Sequence, residues 1–308
     1  MTQVIIDRRQ VGLEYATDCM IVRAKDLPPR TLPLNRITRI VCMHSVGLTT
    51  QLIGQLQKRG IDFVVLNQRH ASHSFALYGD QRLLVERRCR QYALQLDDAT
   101  RLPLAIELCR HKFNVLHRLL QTYPSTGGGC QQIRRALDQL ASCQDDQQLR
   151  GYEGSVQKMA FQHWRQLIPA VLGFKNRLRR PPPDPVNAAL SFAYTLVHQD
   201  AVRQAIKHAL DPQLGIYHRL VYGRQSLACD LMEPVRPKVE SWVAHLFIEG
   251  VLDRRHFSLE QGRCLLGKAG REIFYKAFDE QVQDWQRQLG ATARWLARQC
   301  DSDLQRQP

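Results

Sequence analysis

Asp230 and Glu233 lie three residues apart in a stretch with helical character, Ser226–Val235. That spacing sets two carboxylates side by side on one helix face, where they repel unless a cation shares them. Just upstream, Asp211-Pro212-Gln213-Leu214-Gly215-Ile216-Tyr217-His218 supplies a histidine. Two carboxylates and a neutral imidazole, with no thiolate, suit Mg2+ or Mn2+ better than structural zinc. Each piece also has an ordinary explanation, since acid pairs commonly face solvent and lone histidines commonly end helices.

Helix geometry singles out a third acid. With Leu149 as origin and about 100° per residue, Tyr152, Val156, Met159, Ala160, His163, Trp164 and Leu167 share an arc of about 140°. Arg150, Ser155, Gln157, Lys158, Gln162, Arg165 and Gln166 occupy the opposite side, with Phe161 as the apolar exception. Glu153 falls inside the apolar arc. A carboxylate aimed at a core must be paired, protonated or metal-bound, because burying it alone costs several kcal/mol. Gly151 and Gly154 flank it and weaken the helix for no packing gain. The alternative is a helix edge at which Glu153 simply reaches water.

The elements that must position these residues fall into two parts. Before residue 81, short segments rich in β-branched or aromatic residues alternate with turn formers: Val4–Ile6, Cys19–Val22, Ile37–Cys42, Ile61–Leu66 and Ser74–Tyr78. Leu48, Leu52 and Leu56 mark one amphipathic helix, Leu48–Arg59, closed by Gly60. From about Gln81 the period changes from two to 3.6. Helices are expected at Leu83–Leu96, Pro103–Gln121, Gln131–Ser142, Gln147–Ile168, Pro185–Leu210, Ser226–Val235, Pro237–Gly250, Ser258–Gly262, Gly270–Gln288 and Thr292–Gln299. Gly127-Gly128-Gly129, Pro181-Pro182-Pro183 and Asp211-Pro212 read as breaks, and Asp184-Pro185 as an N-cap followed by proline at the first helical position. The expected fold is α+β: a small β-sheet domain over 1–80, then a larger all-α domain over 81–308.

Composition narrows the partners. The 308 residues are 44% hydrophobic, which excludes a disordered tail protein and allows one large core or two modest ones. Lys and Arg number 43 against 29 Asp and Glu, a net charge of +14 spread along the whole chain, so a polyanion is the first suspect. Arginine bias has other sources too, and many basic proteins bind no nucleic acid. No apolar stretch approaches the roughly 18 residues of a membrane-spanning helix, and Asp7, Arg8 and Arg9 interrupt any signal-peptide core. The nine cysteines are odd in number, scattered and never spaced C-x-x-C, as in a protein with reduced thiols. The expectation is a soluble cytoplasmic protein with no membrane partner.

Several motifs in order carry a more specific likeness. They are Leu32-Pro33-Leu34-Asn35-Arg36-Ile37; Ser45-Val46-Gly47-Leu48-Thr49-Thr50 through Gly60-Ile61-Asp62-Phe63; Lys112-Phe113-Asn114; and Tyr152-Glu153-Gly154. Farther on come Arg180-Pro181-Pro182-Pro183-Asp184-Pro185-Val186-Asn187-Ala188 with Tyr194, the segment Leu210–His218, and Asp230-Leu231-Met232-Glu233 with Arg236-Pro237. Together these resemble the CRISPR-associated protein one family over most of the chain.

The resemblance implies a metal-dependent DNA endonuclease and integrase of CRISPR adaptation. Such an enzyme joins the 3′-hydroxyl ends of prespacer DNA into the CRISPR repeat by transesterification. It also implies a metal site of Glu153, His218 and Glu233 holding Mg2+ or Mn2+, with Asp230 as the supporting acid of the catalytic set. Glu233 stands where some members have Asp, and Ala193 where glycine is often found. The implied partners are double-stranded DNA, a second copy paired through the N-terminal domain, and CRISPR-associated protein two. Lys175, Arg177, Arg179 and Arg180, close in sequence to the site, are the expected contacts to the DNA backbone, although such a run is also compatible with a solvated face. Two rival readings are a general metal-dependent nuclease of branched DNA and a catalytically silent DNA-binding subunit.

Overall fold

A computed structural model describes residues 2–66, 74–79, 84–123, 127–179 and 181–301. The expected boundary between residues 80 and 81, and the expected DNA contact Arg180, lie outside the described residues. Contacts divide the chain into two compact units, Met1–Leu83 and Leu84–Pro308.

The first unit holds two four-stranded sheets. One has the order β1 (Thr2–Ile6), β5 (Ile37–Cys42), β7 (Asp62–Val65) and β8 (Phe75–Leu77), parallel except for the last pair. The other runs β4 (Arg30–Pro33), β3 (Cys19–Ala24), β2 (Val11–Ala16) and β6 (Gly47–Leu48). Parallel strands need a crossover rather than a hairpin, and α1 (Thr50–Lys58) supplies it between β5 and β7. Thr49 caps α1 by accepting a hydrogen bond from Leu52 N at 3.3 Å, and Leu52 and Leu56 face the core with Leu13, Met20, Ile40 and Phe63. Val11–Ala16 is a strand that the sequence does not signal, because Gly12 and Glu14 interrupt its apolar run. In the sheet, Val11 and Leu13 alternate inward as a half-buried strand requires.

The second unit is helical: α2 (Val85–Leu96), α3 (Asp98–Leu120), α4 (Gly127–Leu140), α5 (Asp146–Leu167), α6 (Pro185–Lys207), α7 (Ser226–Met232), α8 (Arg236–Ile248) and α9 (Lys268–Asp301). Asp184 caps α6 by accepting from Asn187 N at 2.8 Å, ahead of Pro185. Helix α6 is buried along most of its length and packs against α7, α8 and α9. Among the described residues, no helix is long and apolar enough to cross a membrane.

Three local expectations differ from the structure. Ser258–Gly262 is not a helix: β9 (Phe257–Glu260) and β10 (Arg263–Leu266) form a hairpin, because Gln261 and Gly262 both take positive φ (50° and 75°), as a two-residue hairpin turn demands. The triple glycine at 127–129 opens α4 instead of breaking the chain. Gly290 does not split the last helix either. It sits inside α9, where an added Cβ would come within 3.0 Å of Gln204 Oε1 of α6, so the small residue serves helix packing.

Candidate active site

Four elements of the second unit meet around the Nζ of Lys112. Helix α3 carries this lysine on its apolar stripe, with Leu108, Cys109, Phe113 and Leu116, and its side chain is only 2% exposed. Its ammonium lies 2.5 Å from Glu153 Oε1 of α5 and 2.7 Å from Glu233 Oε2, at the C-cap of α7. Arg236, at the start of α8, brings its Nε to 2.7 Å from Glu233 Oε1, a close ion pair whose N–H does not point along a hydrogen bond. Burial by itself would raise the Glu233 carboxyl, but Arg236, Lys112 and His218 outweigh it and hold that group down at about 2. Burial would lower Lys112, yet Glu233 and Glu153 hold its ammonium above the usual lysine range. Glu233 and Lys112 are therefore held in their charged forms near neutrality.

His218 enters from the loop before α7. Its Nδ1 lies 2.6 Å from Asp230 Oδ1, and its Nε2 lies 3.7 Å from Glu233 Oε1. Asp230 also accepts backbone N–H groups from Ile216 (2.6 Å), Tyr217 (3.1 Å) and His218 (2.9 Å), so one buried carboxylate folds the loop and orients its imidazole. Gly215 makes this approach possible, since an added Cβ would lie 2.8 Å from His218 O and 2.9 Å from Asp230 Oδ2. The His218 imidazole thus lies between the two carboxylates of the i, i+3 pair. Their side chains serve different partners, the loop and Lys112.

Behind this layer, Glu240 of α8 is buried and accepts from Tyr194 Oη at 2.5 Å and from Gln157 Nε2 at 3.0 Å. Burial pushes its carboxyl up, against the pull of Lys112, Tyr194 and Gln157. The guanidinium groups of Arg177 and Arg236 lie 5.5 and 5.0 Å from the centroid of the Tyr194 ring. Arg177 is further committed to Leu178 O (2.6 Å), Asn187 Oδ1 (3.0 Å) and Ser191 Oγ (3.1 Å).

These groups line a cleft of about 720 Å³. Glu153, Glu233 and Glu240 are its carboxylates, while Lys158, Arg150, Arg179, Arg219 and Arg224 add positive charge around them. Lys175 and Arg179 are exposed, whereas Arg177 turns inward as described. Among the described residues, no three His, Cys, Asp or Glu side chains are gathered closely enough to hold a metal ion. The donor chemistry nevertheless fits one. A cation already lies between the Glu153 and Glu233 carboxylates, in the form of the Lys112 ammonium. The His218 imidazole also has its Nδ1 anchored on a carboxylate, the usual support of a histidine ligand.

A family model described as CRISPR associated protein Cas1 matches residues 4–280. The chain belongs to the Cas1 family. A CRISPR-associated endonuclease Cas1 of Thermodesulfovibrio yellowstonii is 31% identical over 98% of this chain and 99% of its own length. Another from Thermus thermophilus is 29% identical over 82% of this chain and 75% of its own. A solved Cas1 protein from Thermotoga maritima superposes with a TM-score of 0.86 at 17% identity, covering 97% of both chains. A casposase bound to integration product gives 0.85 at 20% identity, covering 98% of this chain and 91% of that one. At such identities these structures share the fold with this Cas1-family chain.

Of the residues expected from sequence, Glu153, His218, Asp230 and Glu233 come together, and Lys175, Arg177 and Arg179 lie in one segment beside Asn187. Lys112, Tyr194 and Arg236 stand in the sequence motifs without an expected role, and Glu240 lies in none of them. The sign for Lys112 was available: an ammonium in the middle of a 3.6-period apolar stripe must meet buried acids.

Proposed function

We propose that this Cas1-family chain is a metal-dependent endonuclease and integrase of CRISPR adaptation. On this reading it joins the 3′-hydroxyl ends of prespacer DNA into the CRISPR repeat by transesterification. The observation that carries the reading is the closure of Glu153 and Glu233 on the Lys112 ammonium, with His218 Nε2 3.7 Å from the other Glu233 oxygen, in a basic cleft. These three residues would hold Mg2+ or Mn2+, which when bound supplies Lewis acidity at the scissile phosphate and stabilises charge on the departing oxygen. Asp230 would anchor Nδ1 of His218 and so turn Nε2 toward Glu233. Lys175, Arg179 and Arg180 would grip phosphates on either side, and Arg177 would brace the segment that presents them.

Double-stranded DNA, a second copy paired through the N-terminal unit, and CRISPR-associated protein two are the proposed partners. Structural neighbours include a Cas6-RT-Cas1–Cas2 complex (TM-score 0.82) and a TtCas1–DNA complex (0.66), which supports the DNA and the CRISPR-associated protein two of that set. The test combines a labelled prespacer, a repeat-containing plasmid, Mn2+ and the purified partner, scored for strand joining. Joining by the wild type and its loss in Glu153→Ala and His218→Ala are expected. Full activity in both variants overturns the metal-site reading. Cleavage of branched DNA without any joining would leave a general nuclease in its place.

A further inference from the structure

Lys112 is the deepest charged group in the cleft and belongs to no motif with an assigned task. Its Nζ sits between Glu153 Oε1 and Glu233 Oε2, at distances an ammonium shares with a close ion pair. Two carboxylates held this close repel each other strongly in a low-dielectric interior, so something positive must lie between them. Arg236 pairs with the far oxygen of Glu233, and among the described residues the ion pair of Glu153 is with Lys112 alone.

From this geometry we infer that Lys112 is a resident counter-cation, a positioning residue that holds the Glu153–Glu233 pair assembled in the metal-free protein. A divalent ion then binds only by displacing its ammonium from between them. The inference rests on the metal-site reading above. It goes beyond that reading by assigning the site a built-in competitor, which sets how much free divalent ion is needed to load it.

Electrostatics gives the direction. With Lys112 in place, the carboxylate pair is already compensated, and an incoming ion gains only the difference between its own attraction and the ammonium's. Without Lys112 the pair is uncompensated, so the metal-free state weakens and the metal-bound state gains the whole interaction. Ligand binding stabilises a fold by an amount that grows as the Kd falls, so the two effects can be read separately. Removal of a lysine that merely filled the core would lower the stability of both states equally and leave metal affinity where it was.

The experiment is titration of Mn2+ into the chelator-treated full chain by calorimetry, with thermal melting in EDTA and in saturating Mn2+. Wild type, Lys112→Met, Lys112→Arg and Glu153→Gln are compared. Expected are a lower midpoint for Lys112→Met in EDTA, a larger upward shift with Mn2+ than in the wild type, and Mn2+ affinity at least tenfold tighter. Lys112→Arg, which keeps a cation, should bind Mn2+ no more tightly than the wild type. Lys112→Gln carries the same expectation as Lys112→Met and stands in if the methionine variant does not fold. Unchanged Mn2+ affinity on neutralising Lys112, while Glu153→Gln abolishes binding, overturns the counter-cation but leaves the site. Failure of the wild type to bind Mn2+, or full binding by Glu153→Gln, overturns the site reading and the inference with it.

Discussion

The carboxylate of Asp230 lies 2.6 Å from Nδ1 of His218 and also accepts the backbone N–H of His218 itself, at 2.9 Å. One buried acid thus holds both the ring and the chain of one histidine. A group with that many donors is a folding element as well as an orienting one. Asp230→Ala should therefore lower stability by about 3 kcal/mol, as loss of one member of a buried charged network does. It should also weaken strand joining, since His218 loses its support. Urea unfolding beside the joining assay checks both. An unaltered unfolding midpoint would mean that the loop from Ile216 to His218 is held by something else.

Glu153 and Glu233 should both prove indispensable for joining, but they differ in what their loss does to the fold. Glu233 is buried between Lys112 and Arg236, whereas Glu153 keeps a fifth of its side chain in solvent. Glu233→Ala leaves two cations facing each other and should cost about 3–5 kcal/mol. Glu153→Ala should cost much less and still abolish activity, which makes it the cleaner inactive variant. Glu233→Asp keeps the charge and should retain partial activity. Denaturant midpoints and joining rates of the three variants decide the matter.

Arg177 and Arg179 are neighbours in sequence with opposite surroundings. Arg179→Ala should flatten the dependence of log K on log salt by about 0.9, as expected for one lost phosphate contact, without altering the melting temperature. Arg177→Ala should lower the melting temperature, because its guanidinium ties Leu178, Asn187 and Ser191 together. Duplex binding measured from 50 to 300 mM salt, with melting curves alongside, separates the two roles. An unchanged salt slope in Arg179→Ala would move the DNA surface elsewhere.

Acid sensitivity should begin above the carboxylate range. Burial, aided by Arg236 and Arg224 and opposed by the Gln225 backbone, lowers the His198 imidazole to about 4 from an ordinary 6.5. Between those values the unfolded chain takes up a proton that the folded chain refuses, so this contribution is complete above about 6.5 and is lost as pH falls toward 4. Burial shifts His163 in the same direction. The melting temperature should therefore decline between pH 6.5 and 4.5, and His198→Gln should make that decline shallower. An equally steep decline in the variant would assign it to other groups.

The sequence alone carried the periodic information. The change of period near residue 81, the Asp184-Pro185 cap and the apolar arc of α5 all reflect local spacing, which fixes which face of an element seeks a core. It also showed that Glu153 lies on a face where a lone carboxylate is costly. The hairpin at Phe257–Leu266 escaped because its turn depends on two successive positive φ angles, and Gln261, unlike Gly262, does not announce one by its residue type. Continuity of α9 past Gly290 was hidden for a related reason, since a glycine reads as a break until the helix packed against it is known. What only the tertiary structure decided is how the charges are partnered. Spacing placed Asp230 beside Glu233, but folding turned one toward the loop of His218 and the other toward Lys112, 121 residues earlier. Ion pairing in a low-dielectric interior is settled by distances between helices remote in sequence, and those distances exist only once α3, α5, α7 and α8 have packed.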